Sequence, residues 1–230
     1  MTFAEKIISF YKNLEFTGSL PDGVSIMNPF RDNPLIVPVI SQFYSRFYND
    51  EMKRHLILGI NPGRFGAGVT GIPFTDTKRL AEKCGLSIPG VQTFETSSAF
   101  VYEMIDAFGG PVKFYSDFYI SSVSPLGFTA MGKNGKHLNY NYYDSKKLTE
   151  AVYDFMITTI EKQLEFGISR DVCFSFGAGK NFKFILELNK KFKYFEKIIP
   201  LEHPRYIMQY KSKQKHQYMS KYLEEFSKLI

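Results

Sequence analysis

The sequence predicts an α/β fold: a three-layer α/β/α sandwich around a central four-stranded parallel sheet. Three observations lead there. The continuous apolar run 56–60 (LILGI) and similar, largely apolar runs at 118–123 (FYISSV), 172–176 (VCFSF) and 194–199 (YFEKII) read as buried strands. Stretches of helical periodicity separate them, and right-handed crossovers between parallel strands place such helices on both faces of the sheet. The 230-residue chain, 44% hydrophobic and 23% charged, contains no Gly/Ser/Pro-rich linker, internal repeat or low-complexity segment. Residues 1–230 are therefore expected to form one domain.

Residues 2–50 precede the first strand and read as two helices, one near the terminus and one over 34–48, with turns at Asn28-Pro29-Phe30 and Asp32-Asn33-Pro34. The run 56–60 halts at Asn61-Pro62-Gly63, a strong turn signal. Helices over 76–84 and 97–108 lead to the second strand. The stretch 144–166, with Leu148, Val152, Phe155, Thr159 and Ile160 at helical spacing, leads to the third. A helix over 179–192 leads to the fourth. A last helix carries Met219, Tyr222, Leu223, Phe226 and Ile230 on one face.

Composition narrows the chemistry. No run approaches the ~18–20 apolar residues of a membrane span, and the N-terminal stretch lacks the pattern of a secretory signal. The expectation is an intracellular, cytoplasmic protein, nucleoid-associated in a bacterium. Cys84 and Cys173 form no CxxC pair, and His55, His137, His203 and His216 are scattered. Neither a disulfide framework, nor a metal centre, nor an iron–sulfur cluster is expected. Lys and Arg number 29 against 23 Asp and Glu, a net charge of +6, which favours polyanionic partners. Residues 203–216 (HPRYIMQYKSKQKH) hold four Lys or Arg, two His and no acid. They read either as a phosphate-contacting surface or as an ordinary solvated face. Most of the 23 Phe and 15 Tyr must be core.

In open parallel sheets ligands bind beyond the carboxyl ends of the strands. After the first strand, residues 59–76 (GINPGRFGAGVTGIPFTD) hold five glycines, which let backbone approach a flat ligand or a phosphate closely. The spacing fits neither GxGxxG nor a phosphate-binding P-loop. GAGK at 177–180 lacks the upstream Gly of a P-loop and is followed by Asn181 rather than Ser or Thr. Two polar groups, the Asn61 amide and the His203 imidazole, fall at strand ends that can be neighbours.

GINPGRFGAGVTGIPF followed far downstream by LEHPR resembles the single-strand-selective monofunctional branch of the uracil-DNA glycosylase superfamily. Met27-Asn28-Pro29-Phe30, the Tyr-rich stretch 41–48, Ser98-Ala99-Phe100, Ser124-Pro125-Leu126 and Gly132-Lys133-Asn134 extend the similarity over nearly the whole chain. The resemblance implies that family's fold and a monomeric enzyme without cofactor or metal. It also implies hydrolysis of the N-glycosidic bond of uracil or another deaminated base, xanthine or hypoxanthine, in single- or double-stranded DNA during base excision repair. By carry-over, Asn61 orients the attacking water and His203 donates a hydrogen bond to the departing base. Phe74 stacks on the base, while Ile60, Pro62 and Gly63 shape its pocket. The segment after His203 serves as the wedge that replaces the flipped nucleotide, with Arg205, Tyr206, Ile207 and Met208 as wedge residues and Lys211, Lys213 and Lys215 on phosphates.

Two positions depart from the family pattern. Ser122 stands where the family has a base-reading Asn, and its short hydroxyl does not reproduce a bidentate amide contact. The second Pro that closely follows the family His-Pro is absent. The glycine-rich loop contains no carboxylate before Asp76, and Glu202 reads either as a group tuning His203 or as an exposed loop charge. No Lys in the matched motifs occupies a nucleophile position, which points to base release without strand cleavage. The alternatives from other classes are a catalytically inactive nucleic-acid-binding protein of the same fold and a small-molecule nucleotide hydrolase.

Overall fold

The computed structural model describes residues 1–132 and 134–230, so Lys133 of the Gly132-Lys133-Asn134 motif lies outside the described residues. In chain order the elements are α1 (Phe3–Lys12), β1 (Val24–Met27), α2 (Pro29–Asp32), α3 (Ile36–Phe47), β2 (Arg54–Gly59), α4 (Ala67–Thr70), α5 (Thr77–Cys84), α6 (Thr96–Phe108) and α7 (Pro111–Asp117). There follow β3 (Phe118–Ser122), β4 (Gly127–Met131), β5 (His137–Tyr140), α8 (Lys146–Leu164), β6 (Ile168–Phe176), α9 (Lys180–Phe192), β7 (Lys197–Leu201), α10 (Pro204–Tyr210) and α11 (Lys215–Ser227).

The central sheet has four strands in the order β3-β2-β6-β7, every neighbouring pair parallel. Successive side chains of a strand point to opposite faces, and β3 shows how this builds three layers. Tyr119 packs against Phe3, Tyr48 and Phe166 on one face. Phe118, its neighbour, packs against Phe108, Phe114 and Phe226 on the other. One face is thus covered by α1, the end of α3 and the segment after α8, the other by α6, α7 and α11.

The fourth strand starts and ends later than the apolar run 194–199. Phe195 is held in the preceding loop, where the Asn189 side chain accepts from its N–H (2.8 Å) and donates to its carbonyl (2.9 Å). The strand then runs through Pro200, which an edge position tolerates because the missing N–H has no ladder partner to lose.

A second sheet, β1-β4-β5, is antiparallel and adds to the four strands that the apolar runs predict. Its strands have four or five residues, and β5 is largely exposed, so neither an apolar run nor a clear alternation marks them. The N-terminal region accordingly holds a strand as well as helices. This sheet carries β5 to the mouth of the central sheet, where it matters for the site. No helix among the described residues is long and apolar enough to cross a membrane.

Candidate active site

The carboxyl ends of β2, β3 and β7 open onto a cavity of about 270 Å³. Ile60, Asn61, Pro62, Gly63, Phe74, Ser122, His203, Arg205 and Tyr206 all line it. β2 and β7 are not neighbours, since β6 lies between them. Among the described residues none of the loop after β6 lines the cavity; that loop begins at Gly177, whose φ of 122° suits a residue without a side chain and whose N–H donates to the Leu201 carbonyl (2.7 Å).

Asn61 is fixed by the unforeseen sheet. Its Oδ1 accepts from the Tyr142 N–H (3.0 Å), and its Nδ2 donates to the Tyr140 carbonyl (3.2 Å) and, more weakly, to that of Pro62 (3.4 Å). Both amide hydrogens are engaged. One lone pair of Oδ1 stays free to accept from a further donor.

His203 is the N-cap of α10, its Nδ1 accepting from the Arg205 N–H (3.1 Å). A nitrogen that accepts carries no proton, so in the neutral ring the hydrogen sits on Nε2. Burial, helped by the nearby Arg205 guanidinium, lowers the imidazole pKa to about 4. Near neutral pH the residue is an uncharged Nε2–H donor. Glu202 does not tune the imidazole, because its carboxylate pairs with Lys221 (3.2 Å) and its carbonyl accepts from the Tyr222 hydroxyl.

Phe74 sits at a φ of 53°, an uncommon conformation for a residue with a side chain. The loop is locked around it by Thr70, whose hydroxyl donates to the Thr75 carbonyl (2.7 Å), and by the Thr75 N–H to Ile72 carbonyl bond (3.2 Å). Its ring meets Phe176 edge-on at 5.3 Å and lies 5.6 Å from the His203 ring. Ser122, 5% exposed, lies at the end of β3 in register with Gly59.

The glycines of the loop make room chiefly for protein. A Cβ at Gly59 would lie 2.7 Å from the Phe74 ring, and one at Gly68 would lie 2.7 Å from the Gly63 carbonyl. A Cβ at Gly63 would lie 2.8 Å from the Glu95 carboxylate, and one at Gly66 would overlap that carboxylate. Glu95 lines the cavity and is the acidic group missing from the loop itself. Burial raises its pKa, against the opposing pull of the Ser97 hydroxyl and Arg205. Asn139, Asn141, Tyr143, Gln209 and Tyr210 complete the wall. Asn139 and Asn141 stand two apart, the spacing that places strand residues on one face, which was the available signal for them.

The segment after His203 folds as the helix α10. Arg205 and Tyr206 are exposed beside the cavity, as is Tyr210, whereas Ile207 is wholly buried in the core and Met208 packs against it. Ile207 is therefore withdrawn from the wedge surface. Lys211 is half-buried and Lys213 exposed beyond the end of α10, outside the cavity lining. Lys215 is paired with Glu103 at 2.5 Å and is not free for phosphates. Directly after GAGK, Asn181 is buried and structural, donating to the Leu58 and Phe176 carbonyls (3.3 Å each) and accepting from the Tyr142 hydroxyl (2.9 Å). Among the described residues no group of three or more His, Cys, Asp or Glu side chains could hold a metal ion.

Three comparisons bear on this arrangement. A search of curated proteins finds no match. The crystal structure of wild-type Pedobacter heparinus SMUG2 is 54% identical, superposes with a TM-score of 0.97, and is matched over 100% of this chain and 98% of its own. The family described as the uracil DNA glycosylase superfamily matches residues 45–227, a span that holds the β2 loop, Phe74, Ser122 and His203 together. The chain belongs to the uracil-DNA glycosylase superfamily, in its SMUG-like branch.

Proposed function

We propose that this protein is a monofunctional DNA glycosylase that hydrolyses the N-glycosidic bond of uracil or another deaminated base, xanthine or hypoxanthine, in single- or double-stranded DNA. The observation that carries the reading is the pairing of two fixed groups in one cavity: the Asn61 amide with a free carbonyl lone pair, and the neutral His203 with its hydrogen on Nε2.

Cleavage develops positive charge on the sugar and negative charge on the leaving base. His203 donates its Nε2–H to the base carbonyl on which charge accumulates, and a neutral donor held by its own helix needs no reorganisation to do so. Asn61 Oδ1 accepts from a water O–H and so aims that water's lone pair at the sugar carbon. The water oxygen bonds to that carbon, the glycosidic electron pair leaves with the base, and the proton the water sheds passes through solvent to neutralise the departed base anion. Phe74 supplies the stacking face for a nucleotide flipped out of the helix, and Ile60, Pro62 and Gly63 bound the pocket. Ser122 is the base-side group at the end of β3, and its short hydroxyl permits a wider range of bases than an amide would. Arg205, Tyr206, Lys211 and Lys213 form the DNA-facing surface. Among the described residues no Lys lines the cavity, so none places an amine to form a Schiff base with the sugar. The reading takes residues 1–230 as one domain, acting as a monomer inside the cell.

The test is base release from end-labelled oligonucleotides containing uracil, hypoxanthine or xanthine, with hot alkali to cut abasic sites. Wild-type protein should yield alkali-dependent product and no borohydride-trapped adduct. Asn61→Ala should lower the rate by about 100-fold or more, as removal of a transition-state interaction of about 2.7–4 kcal/mol does, with DNA affinity retained. Folded protein that binds DNA but releases no base would mark a binding module instead.

A further inference from the structure

We propose that Glu95 is a base-reading specificity residue of this pocket, its carboxylate accepting a hydrogen bond from the lactam N–H that distinguishes a deaminated base from its parent. The inference rests on the glycosylase reading and names a contact that reading does not assign.

Glu95 occupies the N-cap position of α6, where a short polar side chain would bond the helix N–H groups, yet its side chain caps nothing. Its own N–H is held by Asp76 Oδ2 at 2.7 Å, which fixes where the residue stands. Asp76 itself is fully buried and committed, capping α5 through the Arg79 N–H (2.8 Å) and pairing with the Arg79 side chain (3.3 Å). The Glu95 carboxylate, by contrast, forms no ion pair among the described residues; only the Ser97 hydroxyl and, through space, Arg205 favour its charge. It lies against Gly63 and Gly66, both of which must lack a side chain to admit it. A half-buried carboxyl that forgoes a cap, makes no direct ion pair among the described residues and needs two glycines is costly to the fold, and such groups gather at functional sites.

The polar groups of the wall are mostly spoken for. The Nδ2 of Asn61 is consumed by carbonyls, the Oδ1 of Asn139 accepts from the Arg64 N–H (3.0 Å), and His203 is a donor. Glu95 is the one acidic side chain lining the cavity among the described residues. Deamination converts the bare ring nitrogen of cytosine or adenine, an acceptor, into an N–H flanked by a carbonyl, and converts guanine into a base with an additional ring N–H. A carboxylate accepts from the deaminated edge and repels the lone pair of the unmodified one. Discrimination of this kind is strong because the wrong base leaves the buried acceptor unpaired.

The decisive comparison is single-turnover release of uracil and of 3-methyluracil, in which a methyl group replaces the ring hydrogen, by wild type, Glu95→Gln and Glu95→Ala. Wild type should favour uracil. Glu95→Ala should lower uracil release by about 10- to 100-fold, the range for a hydrogen bond to a charged group, without lowering 3-methyluracil release, so that the preference collapses. Glu95→Gln, whose amide oxygen still accepts, should fall between. If Glu95→Ala does not fold, as judged by thermal melting, the Gln variant decides, and an unchanged preference in it overturns the proposal. Uracil release unaffected by Glu95→Ala, or both substrates slowed by the same factor, would also overturn it. Wild-type protein inactive on every lesion would refute the glycosylase reading itself, a result distinct from an active enzyme whose preference ignores Glu95.

Discussion

His203 shows how one backbone contact sets the chemistry of a side chain. Because its Nδ1 is tied to the Arg205 N–H, the ring has a single useful tautomer, and because its pKa is lowered to about 4 from the usual 6.5, it holds that tautomer through the neutral range. Base release should therefore show no loss centred near pH 6.5, and the limb due to His203 should appear only near pH 4. A rate that falls as pH rises through 6.5 would instead make the imidazolium the working form. The stability consequence has a definite sign. Between about pH 6.5 and 4 the unfolded chain takes up a proton on His203 that the native protein refuses, so the native state loses stability as pH falls across that window. Between pH 7 and 4 the urea midpoint of wild type should fall more than that of His203→Gln, which has no such group to titrate. Of these properties only the His-Pro pair was visible in the sequence; the tautomer depends on a helix, α10, beginning at Pro204, and no helix was expected there.

At the scale of elements, the loop from β2 to α5 is shaped by what packs onto it. Five glycines stand in this short stretch, and a Cβ at Gly59, Gly63, Gly66 or Gly68 would press on neighbouring protein atoms. Gly59→Ala makes the test: its Cβ would stand 2.7 Å from the Phe74 ring and 3.4 Å from the Ser121 carbonyl. Displacing that ring should cost about 1–3 kcal/mol, the usual range for overpacking a filled site, read as a lowered urea midpoint, and should reduce base release with it. Unchanged stability would mean the ring moves freely. The parallel strands were legible because continuous burial writes an unbroken apolar run: β3 is buried along its whole length. The β1-β4-β5 sheet was not, since His137 and Leu138 of β5 face solvent and no pattern of burial is imposed on them. Glu95 was not legible either. In sequence it is an isolated acid just before a helix, and only the folding of that helix start onto Gly63 and Gly66 gives it meaning.

Across the whole molecule the charge is unevenly used. The net +6 conceals cations already committed: Lys215 to Glu103, Lys221 to Glu202 and Arg54 to Asp50. Among the basic residues after His203, Lys213 is exposed and Lys211 half-buried, and neither forms an ion pair among the described residues. Changing both to Ala should weaken DNA binding at low salt and reduce the slope of log affinity against log salt by about 0.7–0.9 for each phosphate no longer neutralised. An unchanged slope would remove them from the DNA surface. The candidate site also joins the two sheets. Asn61, at the end of the parallel sheet, is bonded on one side by the Tyr142 N–H and on the other by the Tyr140 carbonyl, both on the chain leaving the antiparallel sheet. The Tyr142 amide proton is thus a built-in reporter. Its exchange with deuterium should slow when a base or abasic DNA fills the cavity and should quicken in Asn61→Ala, so the state of the reacting site can be followed at a backbone position that never touches the substrate.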